Sequence, residues 1–213
     1  MIKFIERGIE PLFATPLFAS IIEDTELLKE LYQKVMNLKE KGHGNGNHMG
    51  WWSWDDIHCL PEFEELAQTF ANEAGGVMDF LQVKKDSCYL TSMWANVGLR
   101  PEYVHMAHVH PNSLISGVFH LSMPDGCANT AFSDPRPGAR VFEPTYHQMG
   151  EWNSGVRVPP LREGTLYMFP SYLPHGVNAT FNPYPEDKNR ITISFNAMMT
   201  GTIETRTAPL ELK

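Results

Sequence analysis

Apolar residues recur at helical spacing twice in the first third of the chain. Between residues 24 and 41, Leu27, Leu28, Leu31, Val35 and Leu38 fall on one side of a 3.6-residue repeat, and Asp24 stands in front of them as a capping residue. Between residues 61 and 81, Phe63, Leu66, Phe70, Ala74, Val77 and Leu81 form a second stripe behind Pro61, which suits a helix entrance. The pair Gly75-Gly76 weakens the last turn of that helix. Two helices are therefore predicted.

From Cys88 onward the period shortens. The segments "CYLTSMWANVGL", "SLISGVFHLS", "TAFSD", "GTLYMFPS", "HGVNATF" and "RITISFNAMM" are short apolar or alternating runs separated by Pro, Gly, Asn and Asp. Six such runs predict an antiparallel sandwich or barrel. The fold class expected is mainly β with N-terminal helices, in one domain over 1–213. Residues 1–87 form the helical part, packed on the outer face of a sheet, and residues 88–213 the β-rich core. No internal repeat is visible.

The chain has 213 residues, of which 42% are hydrophobic and 20% charged, enough for one sizeable core. It has no tract of about 18 apolar residues, so no membrane span is expected. Glu6 and Glu10 interrupt the apolar N-terminal stretch, which argues against a signal peptide. A formal charge of -8 without clusters of Lys and Arg argues against a nucleic-acid partner. Cys59, Cys88 and Cys127 are odd in number and widely spaced, as expected of reduced thiols in a cytoplasmic protein. Oligomeric state, including a homo-oligomer, stays open.

The candidate chemistry lies in "HMAHVHPN", which holds three of the nine histidines. On a strand, His108 and His110 would share a face, roughly 6.5–7 Å apart, and could converge on one ion. His105 would face the other way. A third ligand is available in His175 of "FPSYLPHGV", at the mouth of a later strand behind Pro170 and Pro174. The bland alternative is a set of satisfied strand-end histidines; a same-face pair with a distant third favours metal. Arg190 then opens the last strand, with Thr192 and Ser194 on its face. A guanidinium pointing into a barrel is costly unless it meets an anion, and beside hydroxyls it makes a carboxylate receptor. The alternative is an Arg at a strand end reaching water.

The block His-x-His-Pro-x-Ser-x-x-Ser-Gly-x-x-x-Leu, followed by "FSDPR", "FPSYLPHGV" and "RITISFN", resembles the 2-oxoglutarate/Fe(II)-dependent oxygenases. The likeness is to a bacterial and phage group related to the prolyl hydroxylases. "GWWSWDD" and "PLFATPLF" extend it over nearly the whole chain. The resemblance implies a double-stranded β-helix, a cupin-like jelly roll with iron in its mouth. It implies a dioxygenase using Fe(II), O2 and 2-oxoglutarate to hydroxylate a small molecule or a protein side chain, releasing succinate and CO2. His108 and His175 would be iron ligands, and Arg190 would hold the distal carboxylate of 2-oxoglutarate. The wider superfamily has a carboxylate where this chain has His110, so the site expected is three histidines rather than two histidines and an acid.

Other residues carry weaker signals. Asn96, on the strand before the histidines, is a candidate for binding cosubstrate or a strand-bridging amide. Ser116 and Gly117 suit close packing. Asp134 before a proline is an ordinary turn starter, and Arg136 could greet an acidic substrate. The glycine-rich stretch 42–54 ends in Trp51, Trp52 and Trp54. It reads as an irregular loop at the open end of the barrel, a lid with Trp51 and Trp52 as substrate wall. Alternatively its rings dock the helices on the sheet. Rival functions are a three-His cupin-like dioxygenase, a zinc hydrolase and a non-catalytic metal-binding module.

Overall fold

The computed structural model describes residues 8–136, 138, 141, 144–180, 184–185, 188–203 and 209–212. Residues 1–7, and Phe181 at the end of the run expected at 175–181, lie outside the described residues.

Helix α1 (Thr25–Glu40) starts where Asp24 caps it, its Oδ1 accepting from the amides of Glu26 and Leu27 at 3.0 Å each. Helix α2 (Glu64–Phe80) follows a 3-10 turn at Pro61–Phe63 and runs straight through Gly75-Gly76. Packing of Phe70, Ala74, Val77 and Met78 outweighs the glycines' low helix propensity.

Twelve strands among the described residues form two antiparallel sheets. The strands are β1 (Phe18–Ile21), β2 (Gly44–Gly46), β3 (Gly50–Ser53), β4 (Ser87–Gly98), β5 (His105–His108), β6 (Ile115–Ser122), β7 (Thr130–Ser133), β8 (Val156–Arg157), β9 (Thr165–Pro170), β10 (His175–Val177), β11 (Arg190–Ile203) and β12 (Leu210–Leu212). The larger sheet runs β1-β9-β6-β11-β4-β3-β2, with β12 paired to the end of β11. The smaller runs β5-β10-β7-β8.

The larger sheet has two chemically distinct faces, because side chains alternate along each strand. On β11, Ile191, Ile193, Phe195, Ala197 and Met199 join Met93, Ala95 and Val97 of β4 in the main core. That core includes Leu31, Val35 and Leu38 of α1 and Phe70 of α2, whose ring stacks on Phe195 at 4.8 Å. Phe195 occupies the space that a Cβ on Gly117 would need, so Gly117 does serve packing. The intervening residues, Arg190, Thr192 and Ser194 of β11 and Trp94 and Asn96 of β4, line a cleft on the opposite face. The smaller sheet covers that face through a second core of Val118, Phe132, Tyr167, Phe169 and Leu173. Two facing antiparallel sheets of this connectivity make a double-stranded β-helix, or jelly roll.

The stretch 42–54 departs from expectation. It is not an irregular loop but carries the hairpin β2–β3, which extends the sheet as β3 pairs with β4. Asn47 closes the turn, its Oδ1 accepting from Met49 N at 2.8 Å and Gly50 N at 3.1 Å. Glycine gives little strand signal on its own, and the hairpin is specified by pairing with β4. Strand alternation then splits the tryptophans. Trp51 is 6% exposed in the main core, and Trp52 faces the cleft. Trp51 is therefore no substrate wall. Strands β1, β8 and β12 also went unread; each has four residues or fewer.

Candidate active site

Three histidines converge at the mouth of the cleft. One ring nitrogen from each of His108, His110 and His175 lies within 4.8 Å of the others. His108 and His175 are direct cross-strand partners between β5 and β10. His110 is not on the strand, because β5 ends at His108. It returns to the same point from the following loop, where its amide donates to Ser171 O at 3.0 Å. The shared focus expected of His108 and His110 is present, but a turn rather than strand alternation produces it.

The opposite was expected of His105, and the structure corrects this. Its ring stacks on His108 with centroids 4.3 Å apart. The cause is a bulge: Val177 pairs with His105 and His175 with His108, so Met106 and Ala107 together face Gly176 alone. The approach is so close that a Cβ on Gly176 would lie 2.5 Å from His105 O.

The protonation pattern suits a cation. His108 Nδ1 lies 2.8 Å from Met106 O, and His175 Nδ1 lies 2.9 Å from Leu173 O. A carbonyl only accepts, so each Nδ1 carries the proton and each Nε2 presents a lone pair. His175 Nε2 faces His110 Nε2 at 3.2 Å. Burial, then the nearness of His175, His108 and His105, pushes the His110 imidazole down to about 3. Burial pushes His175 to about 4, with His108 and His105 contributing against its bond to Leu173. At neutral pH His110 and His175 are uncharged ligands, and an all-imidazole set suits iron, zinc, nickel or copper. The described residues fit a metal ion.

Deeper in the cleft lies Arg190, 1% exposed. Its Nε donates to Ala128 O at 2.9 Å, while its buried Nη2 has no hydrogen-bond partner among the described residues. Burial lowers its pKa; Cys127, Tyr103 and Tyr184 act in the other direction. A buried guanidinium with an unused donor, and with no carboxylate beside it among the described residues, suits an incoming anion. Thr192, Ser194 and Asn96 line the same compartment, as do Tyr103 and Thr130, which the sequence did not mark. This compartment is narrow, with about 30 Å³ of free space. An outer one of about 740 Å³ shares Asn96, Tyr103, His105, His108 and His110 with it and adds Trp52, Asp55 and Glu102. The outer one has room for an organic ligand. Arg136 lines neither compartment. Its Nε and Nη2 donate to Asp134 at 2.9 and 2.6 Å, so it is engaged elsewhere and does not greet a substrate in this cleft.

Residues 92–196, which span β4 to β11 and every histidine and arginine just described, match a family model described as "Putative 2OG-Fe(II) oxygenase". Comparison with curated proteins gives no match. Among solved structures, HygX from Streptomyces hygroscopicus, with nickel and 2-oxoglutarate bound, is similar at 12% identity and a TM-score of 0.61, over 87% of this chain and 83% of its own. A Pseudomonas putida prolyl-4-hydroxylase is similar at 11% identity and 0.60, over 88% and 94%. The epimerase SnoN, in complex with Fe3+, alpha ketoglutarate and nogalamycin RO, is similar at 13% and 0.60, over 87% and 80%. These likenesses bear out the double-stranded β-helix.

Proposed function

Since the chain belongs, through residues 92–196, to the 2OG-Fe(II) oxygenase family, we propose that it is an Fe(II)- and 2-oxoglutarate-dependent dioxygenase acting on a small molecule or a peptide. His108, His110 and His175 hold the iron through their Nε2 atoms or, for His110, whichever nitrogen faces the ion. Arg190 takes the distal carboxylate of 2-oxoglutarate, with Thr192 and Ser194 as hydroxyl partners. Asn96 sits at the seam between cosubstrate and substrate. Bound there, Fe(II) with O2 supplies the oxidising chemistry, in which 2-oxoglutarate is split to succinate and CO2 as a substrate C–H bond is hydroxylated.

The protein's own contribution is placement. The paired Nδ1–H···O=C bonds fix two rings before metal arrives, and Arg190 aligns the cosubstrate toward them. The observation that carries this reading is the unpartnered Nη2 of Arg190 in the cleft of the three histidines. A zinc hydrolase or a cupin-like dioxygenase needs no 2-oxo acid and would leave that donor unused. The three cysteines are free, and no described helix is long and apolar enough to cross a membrane; we place the enzyme in the cytoplasm. The charge of -8 supports a substrate other than nucleic acid.

The test is anaerobic titration with Fe(II) and then 2-oxoglutarate. A weak visible metal-to-ligand band is expected, lost in His108→Ala and His175→Ala and retained as a site in His110→Asp, which restores the commoner carboxylate. Parental Fe(II) affinity in His108→Ala, or tight zinc binding with no band, overturns the assignment.

A further inference from the structure

The outer compartment restricts what the site accepts. We propose that the substrate carries a cationic amine or ammonium group, held by Asp55 and Glu102 beside the indoles of Trp52 and Trp94; this rests on the oxygenase reading above. His108 and His110 form part of the same wall, so a molecule filling this space meets the metal. The lining has two carboxylates and neither Lys nor Arg. Both carboxylates are exposed, and among the described residues neither side chain makes an ion pair or hydrogen bond.

A second observation points to a ligand independently. Asn96 is 6% exposed and lines both compartments, yet its side-chain amide has no hydrogen-bond partner among the described residues. The other amides of the wall are committed: Asn47 to its turn and Asn196 to Ser92 and Ser116. An anionic substrate would meet two like charges here. A purely apolar one would cover Asp55, Glu102 and Asn96 without satisfying them. An ammonium group satisfies the acids by charge-assisted hydrogen bonds and the indole faces by cation–π attraction. Trp52 is 39% exposed, and Trp94 packs on His110 with centroids 5.6 Å apart, so a cation on Trp94 lies beside the metal ligands. The net charge of -8 favours approach of cations from a distance.

The experiment is calorimetric titration of the anaerobic Fe(II)–2-oxoglutarate protein with cadaverine and with choline. Each is compared with an uncharged counterpart: diacetylated cadaverine, and the carbon isostere of choline. At least one cation is expected to bind about tenfold or more tightly than its counterpart, and Asp55→Asn and Glu102→Gln each to weaken it about tenfold. Equal binding of both cations and their counterparts, or binding unchanged in the double variant, overturns the proposal. The visible band is read in the same samples. A band without charge selectivity removes this inference alone; no band removes the oxygenase reading and the inference with it.

Discussion

At the scale of single residues, Arg190 is the most informative side chain. It is buried, and among the described residues it donates to a backbone carbonyl through Nε and leaves Nη2 unused. Arg190→Met is expected to leave Fe(II) binding intact and to weaken 2-oxoglutarate by roughly 10- to 100-fold, the equivalent of about 1.5–3 kcal/mol for a charge-assisted contact. The same substitution removes a buried cation that lacks a counter-ion among the described residues, so without 2-oxoglutarate the variant should be at least as stable as the parent. Thermal unfolding with and without cosubstrate checks both halves. Unchanged cosubstrate affinity would assign Arg190 to structure. The sequence exposed this residue because a strand that alternates Ile191, Ile193 and Phe195 on one face must put Arg190, Thr192 and Ser194 on the other.

At the scale of elements, the site depends on one irregular contact between two short strands. The bulge that sets Met106 and Ala107 opposite Gly176 brings His105 onto His108 and leaves no room for a side chain at position 176 of β10. Gly176→Ala must push β5 away, since its Cβ would meet backbone atoms, His105 O at 2.5 Å and Ala107 N at 3.0 Å. A fall of at least about tenfold in Fe(II) affinity is expected, with a stability loss of about 1–3 kcal/mol. Fe(II) titration and urea unfolding measure the two, and parental metal affinity would show the bulge to be irrelevant to the site. Bulges leave no mark in a sequence, which is why His105 was misplaced and His110 was set on a strand. Helices α1 and α2 and the six longer apolar runs were legible because each has a long period or an unbroken core face. The hairpin β2–β3 was not, because its glycines carry no pattern and its specification comes from Val97 and Asn96 across the ladder. Asp55 and Glu102 were equally silent: charged residues in connecting segments look alike until folding sets them around one space.

At the scale of the whole molecule, buried histidines tie stability to pH. His120 is fully buried on β6, its Nδ1 3.1 Å from Thr165 O and its Nε2 3.2 Å from Thr130 Oγ1. Burial first, then Arg190, lowers it to about 3. The unfolded chain takes up this proton near the ordinary value of 6.5, whereas the folded chain does so only near 3. The contribution is therefore complete above about pH 6.5 and is lost as pH falls toward 3, by up to about 1.4 kcal/mol per pH unit. His105, His110 and His175 act in the same direction in the metal-free protein. The urea midpoint of metal-free protein should drop from pH 7 to pH 5, and by less in His120→Gln; an equal drop in that variant would remove His120 from the account. The larger sheet has a further consequence, for synthesis. Strand β11 lies between β6 and β4, pairing with Ile115–Ser122 on one side and nearly all of β4 on the other, yet it is translated after both. Until the ribosome has delivered it, β4 and β6 wait as apolar edges with unpaired amides, open to other nascent chains. The strand that carries Arg190 is thus also the last of the three to arrive, and slower growth or added chaperone during expression is expected to raise the yield of folded protein.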